Sequence, residues 1–172
     1  MREIRRVISA EHKISFRKGK GKDKDQWRMQ IGSIEMCNDL RALGFNTRKT
    51  KNLSVPHVPD KYFKDFLRGY FDGDGNVWSG LMHKGRKTHT QTIQTVFTSC
   101  SLEFLEGMRK RLEAFDIERG VLRQGKGNYY RSVYSILNSL KLYNFMYNRL
   151  GTSRLFLKRK KGVFEKYKEM RL

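Results

Sequence analysis

One nineteen-residue stretch, Val58 to Asn76 (VPDKYFKDFLRGYFDGDGN), limits what this chain can become more than any other. Asp60 follows Pro59 directly and stands where a helix N-cap belongs. Tyr62, Phe66 and Tyr70 recur every fourth residue, as do Phe63, Leu67 and Phe71, so the spacing predicts a helix with a broad apolar face. Gly69 and Gly73 share one side of that helix and let a second backbone approach closely. The stretch then places Asp72 and Asp74 at the helix C-terminus, where the macrodipole is negative and a carboxylate is disfavoured. Two acids set against the local rule point to function, because a divalent cation would reverse the penalty. Two plainer readings compete. Asp-Gly-Asp-Gly also suits a polar helix stop that feeds a turn. A calcium loop fails, because Val77 stands where the sixth-position glycine is required and His83 where the closing glutamate belongs.

The nine residues LRGYFDGDG, Leu67 to Gly75, resemble the signature of the LAGLIDADG homing endonucleases. Leu67, Gly69, Asp72, Asp74 and Gly75 are identical to it, and Tyr70, Phe71 and Gly73 are acceptable replacements. Arg68 stands in for alanine and is expected on an outward face. The surrounding VPDKYFKDFLRGYFDGDG is similar to bacterial, phage and intein members.

Charge narrows the partner. Lys and Arg number 37 against 17 acids, a formal net charge of +20, which points to a polyanion, nucleic acid first. An anionic membrane surface is the alternative, but no apolar run is long enough to span a bilayer and no signal-peptide pattern is present. Cys37 and Cys100 stand alone, without the spacing of a zinc site or a disulfide framework. His12, His57, His83 and His89 form no metal-ligand pair. These features read as a basic intracellular protein of cytoplasm or nucleoid, of bacterial, phage or archaeal type.

Along the chain, 2–9 reads as the end of a helix, 12–17 and 27–31 as strands around the charged turn KGKGKDKD, and 33–43 as a helix capped by Ser33. After the motif helix come a strand over 76–84, a basic hairpin, a strand over 91–99, and a helix capped by Ser101. A strand pair at 119–123 and 130–134, a helix from Leu137 to Leu150 ending at Gly151, and a basic helix over 158–170 complete it. From the motif on, the order is α-β-β-α-β-β-α. The expected class is α+β, the LAGLIDADG repeat unit with a curved antiparallel DNA-binding sheet. An internal repeat aligns Phe16-Arg-Lys-Gly-Lys-Gly with Leu122-Arg-Gln-Gly-Lys-Gly, and Trp27-Arg with Tyr130-Arg. Residues 1–60 thus read as the rear of one repeat without its motif helix, and 61–172 as a complete repeat.

The resemblance assigns chemistry. Phosphodiester hydrolysis needs an activated water and a way to hold charge on the leaving oxygen, which carboxylate-bound divalent ions supply. It implies Asp74 as metal ligand and catalytic acid, with Mg²⁺ as the ion and Mn²⁺ as a substitute. Gly73 offers a carbonyl, and Gly69, Gly73 and Asp72 form the interface with a second motif helix. Because one chain carries one such helix, the expected partner is another copy or a second motif-bearing segment. The family's lysine or glutamine near the end of the second strand falls here at Ser99 and Cys100, neither cationic. Lys158 and Lys160 are the alternative charge stabilisers, and a plain basic helix face is their simpler reading.

An antiparallel ribbon fits the major groove of double-stranded DNA with alternate side chains toward the bases. With Ile93 and Phe97 inward, Thr92, Gln94 and Thr98 face outward. Arg17, Arg28, Arg123 and Arg131 are placed to read guanine, and Lys20, Lys84, Arg86 and Lys126 to meet phosphates. Trp27 and Trp78 are expected in the core. The leading reading is a site-specific, metal-dependent double-strand endonuclease of intron or intein mobility. The alternative is a cleavage-impaired binding protein, either an RNA maturase or a DNA-binding regulator.

Overall fold

The structure is a computed structural model and describes residues 1–45, 53–82, 85, 87–118, 120–148 and 155–171. In chain order it contains α1 (Arg2–Val7), β1 (Ile14–Arg17), β2 (Gln26–Met29), α2 (Ile34–Ala42), α3 (Asp60–Asp74), β3 (Gly75–Met82), β4 (Thr90–Ser99), α4 (Leu102–Glu113), β5 (Val121–Gln124), β6 (Tyr130–Tyr134), α5 (Ile136–Tyr147) and α6 (Lys158–Glu169). The motif helix is α3, and the α-β-β-α-β-β-α order read from the sequence runs from it to α5. Ser33 and Ser101 cap their helices as expected, accepting from the Met36 and Phe104 amides. Asp60 does not. It is the first residue of α3 behind Pro59 and pairs instead with Arg111 at 2.9 Å.

The strands β3, β4, β6 and β5 form one open antiparallel sheet in that order. Its inner face is covered by α3, α4, α5 and α6. Period-two alternation sends Val77, Ile93, Phe97 and Tyr134 inward, where they meet Phe63, Leu67 and Phe71 of α3. Phe104, Leu105, Met108 and Leu112 from α4, Leu142 and Met146 from α5, and Phe164 and Tyr167 from α6 close the core. Every buried residue among those described lies between Pro56 and Tyr167.

Residues 1–45 form a separate two-stranded ribbon with a helix on either side and contain no buried residue. Phe16 and Trp27 sit opposite each other with ring centroids 4.9 Å apart, 50% and 62% exposed. Their repeat counterparts Leu122 and Tyr130 pack against the core. Trp27 is therefore not a core residue, contrary to expectation: it is mostly exposed, beside a pocket that α1 lines, and it is not part of the buried core.

Gly75 joins α3 to β3 at a point where a side chain has no room. A Cβ there would lie 2.4 Å from Phe71 Cδ2 and 2.6 Å from the Phe71 carbonyl oxygen. Gly75→Ala is expected to destabilise the fold by about 2 kcal/mol through this overpacking, read as a lower urea midpoint at unchanged slope. Among the described residues no helix is long and apolar enough to cross a membrane.

Candidate active site and nucleic-acid interface

The end of α3 is where the chain gathers its charge. Asp74 is exposed and lines a cleft of about 470 Å³ with Tyr70, Thr98, Ser99 and Cys100. Tyr70 donates to the Thr98 carbonyl at 2.6 Å and packs on Phe104. Burial, with a smaller contribution from the Asp74 carboxylate, pushes its hydroxyl up to about 12, so it stays protonated beside the cleft. Sequence reasoning assigned Tyr70 only to the apolar face; its hydroxyl at the cleft wall was not legible there.

Lys160 takes a position that no local pattern announced. Its side chain, on α6, is 5% exposed and donates to the carbonyls of Phe71 at 2.5 Å, Asp72 at 2.9 Å and Gly75 at 2.6 Å. The ammonium supplies a donor to the Asp72 carbonyl at the helix C-terminus, adds a second donor to the Phe71 carbonyl, which already accepts from the Gly75 amide, and opposes the negative end of the dipole. This relieves part of the penalty of ending α3 in two acids. Burial and the neighbouring Arg159 push the Lys160 ammonium down, while Asp72 and Asp74 hold it up. Neither earlier reading of Lys160 survives. It does not lie on an exposed basic face, and three carbonyls already occupy its donors, so it is not disposed to stabilise a leaving oxygen. Lys158 is exposed at the start of α6.

Asp72 accepts the Leu157 amide through Oδ2 at 2.8 Å, while Oδ1 is buried without a hydrogen-bond partner among the described residues. Burial pushes its carboxyl up from the usual range. Its charge therefore does not hold the fold, and an amide oxygen accepts the same N–H. Asp72→Asn is expected to change unfolding free energy by less than about 1 kcal/mol, measured by urea melts at neutral pH.

Arg68 corrects the outward placement. It is 4% exposed and donates to the Met146 carbonyl at 2.9 Å, the Leu155 carbonyl at 3.3 Å and Asp65 Oδ1 at 2.6 Å. It ties the motif helix to the end of α5 and to the segment entering α6. Gly69 and Gly73, by contrast, are open: a Cβ on either would meet nothing within 4 Å. A groove of about 650 Å³ runs along them, bordered across from α3 by Met1, Ile4 and Val7 of α1.

The outer face of the sheet carries the expected reading positions with one exception. Strand register sets Trp78 opposite Gln94, Gly80 opposite Thr92, and Thr98, Arg131 and Arg123 side by side across β4, β6 and β5. Arg123 and Arg131 are exposed, and Gln94 and Thr98 are half-buried. Thr92 is only 6% exposed, and it pairs with Gly80, over which the indole of Trp78 lies. Trp78 itself is 46% exposed on this face and not in the core. Arg17 and Arg28 are exposed and share one face of the N-terminal ribbon. Lys20 and Lys126 are exposed on their turns, whereas Lys84 and Arg86 lie outside the described residues.

The fold is shared with homing endonucleases, here an open sheet backed by helices with acids at the end of the first. The LAGLIDADG-like domain family model matches residues 64–149, and the chain belongs to the LAGLIDADG homing endonuclease family. It shares its fold with an archaeal intron-encoded homing endonuclease, I-Vdi141I, solved in complex with DNA. The two are 16% identical at a TM-score of 0.50, over 65% of this chain and 68% of that one. A point mutant of I-SmaMI matches at 13% identity and a TM-score of 0.50, over 80% of this chain and 44% of that one. In sequence, the chain is 35% identical over 80 residues to "Probable translation initiation factor IF-2" of Thermococcus kodakarensis. That match spans 44% of this chain but 6% of the length of that protein.

Proposed function

We propose that this protein is a site-specific, divalent-metal-dependent endonuclease of double-stranded DNA, whose active site is shared between α3 and a second motif helix. The observation that carries this reading is the pairing of an exposed Asp74 with an exposed Gly69–Gly73 stripe on the same helix, open to a groove that α1 borders on its far side. Among the described residues no cluster of three His, Cys, Asp or Glu side chains could hold a metal. One exposed carboxylate suits half of a site: Mg²⁺ takes one or two carboxylates and completes its octahedron with water and phosphate oxygens. Asp74 would hold the ion, which when bound supplies an activated water and charge stabilisation on the leaving oxygen. Gly73 is next to it, and its carbonyl is not among the three that Lys160 reaches. This chain's own part is to fix Asp74 through Lys160, and to hold the duplex with Arg123, Arg131 and the ribbon arginines Arg17 and Arg28.

Residues 1–60 we read as the rear of a repeat that lacks its motif helix, and 61–172 as a whole repeat. The bare Phe16–Trp27 pair supports this, since its counterparts at 122 and 130 are covered within their own repeat. The second helix comes from another copy or from another motif-bearing segment. A match confined to 6% of a long curated protein fits an inserted mobile element rather than that protein's own activity. Selection of cleaved molecules from a randomised plasmid pool with Mg²⁺, and with Mn²⁺ as substitute, tests the proposal. Recovery of one cut sequence is expected, and uniform survival of the pool overturns it.

Pairing has its own test. Gly69→Leu is expected to leave the isolated fold at least as stable, because a helix interior favours Leu over Gly by up to about 1 kcal/mol and the position is open. It should nevertheless abolish assembly by filling the approach of the second helix, seen as monomer by sedimentation under conditions where the wild type associates. One observation favours the non-cleaving alternative: Ser99 and Cys100 stand at the cleft where a cationic residue would be expected, and Lys160 is committed to carbonyls. Tight duplex binding with no cutting under any divalent ion would establish it.

A further inference from the structure

Trp78 is a large aromatic side chain exposed on the outer face of the sheet. Its indole lies over Gly80, where a Cβ would come within 2.6 Å of the indole Cζ2, so the glycine is what lets the ring rest there. It keeps 46% of its surface exposed amid a polar and basic face. Gln94 sits directly opposite in register, and among the described residues its carboxamide has no hydrogen-bond partner. An exposed aromatic plate beside a solvent-accessible amide suits a ligand that offers an apolar group and an adjoining donor–acceptor pair.

Of the base pairs, only A·T presents that combination in the major groove: the thymine C5-methyl beside the adenine N6 donor and N7 acceptor. We propose that Trp78 covers a thymine methyl while Gln94 reads the adenine edge beside it, so that this pair of residues sets a preference for A·T at one position of the target. The inference rests on the reading of this face as the DNA-contacting surface. The formal charge of +20 and the exposed Arg123 and Arg131 on the same face supply the attraction that brings the duplex there.

The test removes one methyl group. A preferred duplex is selected from a random pool with the full chain, and each thymidine is then replaced singly by deoxyuridine. Burial of one methyl predicts about fourfold weaker binding at one position for each copy of the chain on the duplex, and no such loss at the other thymidines. Trp78→Ala should erase that discrimination while leaving a cooperative melt, since the ring is outside the core. The chain has two tryptophans, so a Trp27→Phe background leaves Trp78 as the only indole. Its emission should shift with the thymine duplex and less with the deoxyuridine one. Equal binding of both duplexes at every position, or discrimination that survives Trp78→Ala, overturns the inference and leaves the endonuclease reading standing. Failure to retain any preferred duplex overturns both.

Discussion

Asp74→Asn is expected to lower phosphodiester cleavage by about three orders of magnitude while leaving the fold and duplex affinity in place. The separation follows from where Asp74 sits. It is exposed at the C-terminus of α3, and no core contact depends on it. Removing a negative charge from a helix C-terminus removes an unfavourable interaction with the dipole, so stability should rise by a few tenths of a kcal/mol, about 0.3. The amide keeps the shape but loses the charge that would hold a divalent ion, so the chemistry fails even though the duplex remains bound by arginines elsewhere. Single-turnover cleavage of the selected target, alongside binding in Ca²⁺ and a thermal melt, measures all three quantities. Cleavage within tenfold of wild type would remove Asp74 from the site. Its contrast with Asp72 is informative: two acids one residue apart on the same motif, one turned into the protein to accept the Leu157 amide, the other left at the cleft.

The second large effect is on stability. Lys160→Met should destabilise the fold by about 3–5 kcal/mol, a fall of roughly 10 °C in melting temperature. Methionine fills much of the volume but removes the donor shared by the carbonyls of Phe71, Asp72 and Gly75; Phe71 keeps the Gly75 amide, and the loss falls on the other two and on the charge-assisted bonds themselves. The loss falls where α3 turns into β3, so cleavage should suffer as well, through displacement of Asp74. A melt within about 1 kcal/mol of wild type would show that water satisfies those carbonyls equally well.

The site was legible to the extent that it is local. The motif helix, the acids at its end and the glycine stripe were all readable, because 3.6-residue periodicity and capping chemistry act within a few residues. The alternation of β4 gave Ile93, Thr95 and Phe97 their inward places for the same reason. Thr92 broke the alternation of burial where its cross-strand partner is Gly80, a residue whose missing side chain leaves the space that Trp78 takes. Arg68 looked like an outward substitution, yet it is buried by partners 78 and 87 residues away, the Met146 and Leu155 carbonyls. Propensity could not have anticipated that, since an arginine is stable inside only where its donors are met.

The sequence by itself determined the order of elements, the family, and the residues that end the motif helix, because these follow from short-range spacing and from a nine-residue match. Only the tertiary structure decided what those residues do. It carried Lys160 back across 89 positions to the Phe71 carbonyl, turned Asp72 inward, left Asp74 and the glycines facing outward, and set a tryptophan on the outer face of the sheet. The physical reason is that a buried charge is tolerated only beside the partners that satisfy it, and those partners are brought together by packing of distant segments rather than by neighbours in the chain.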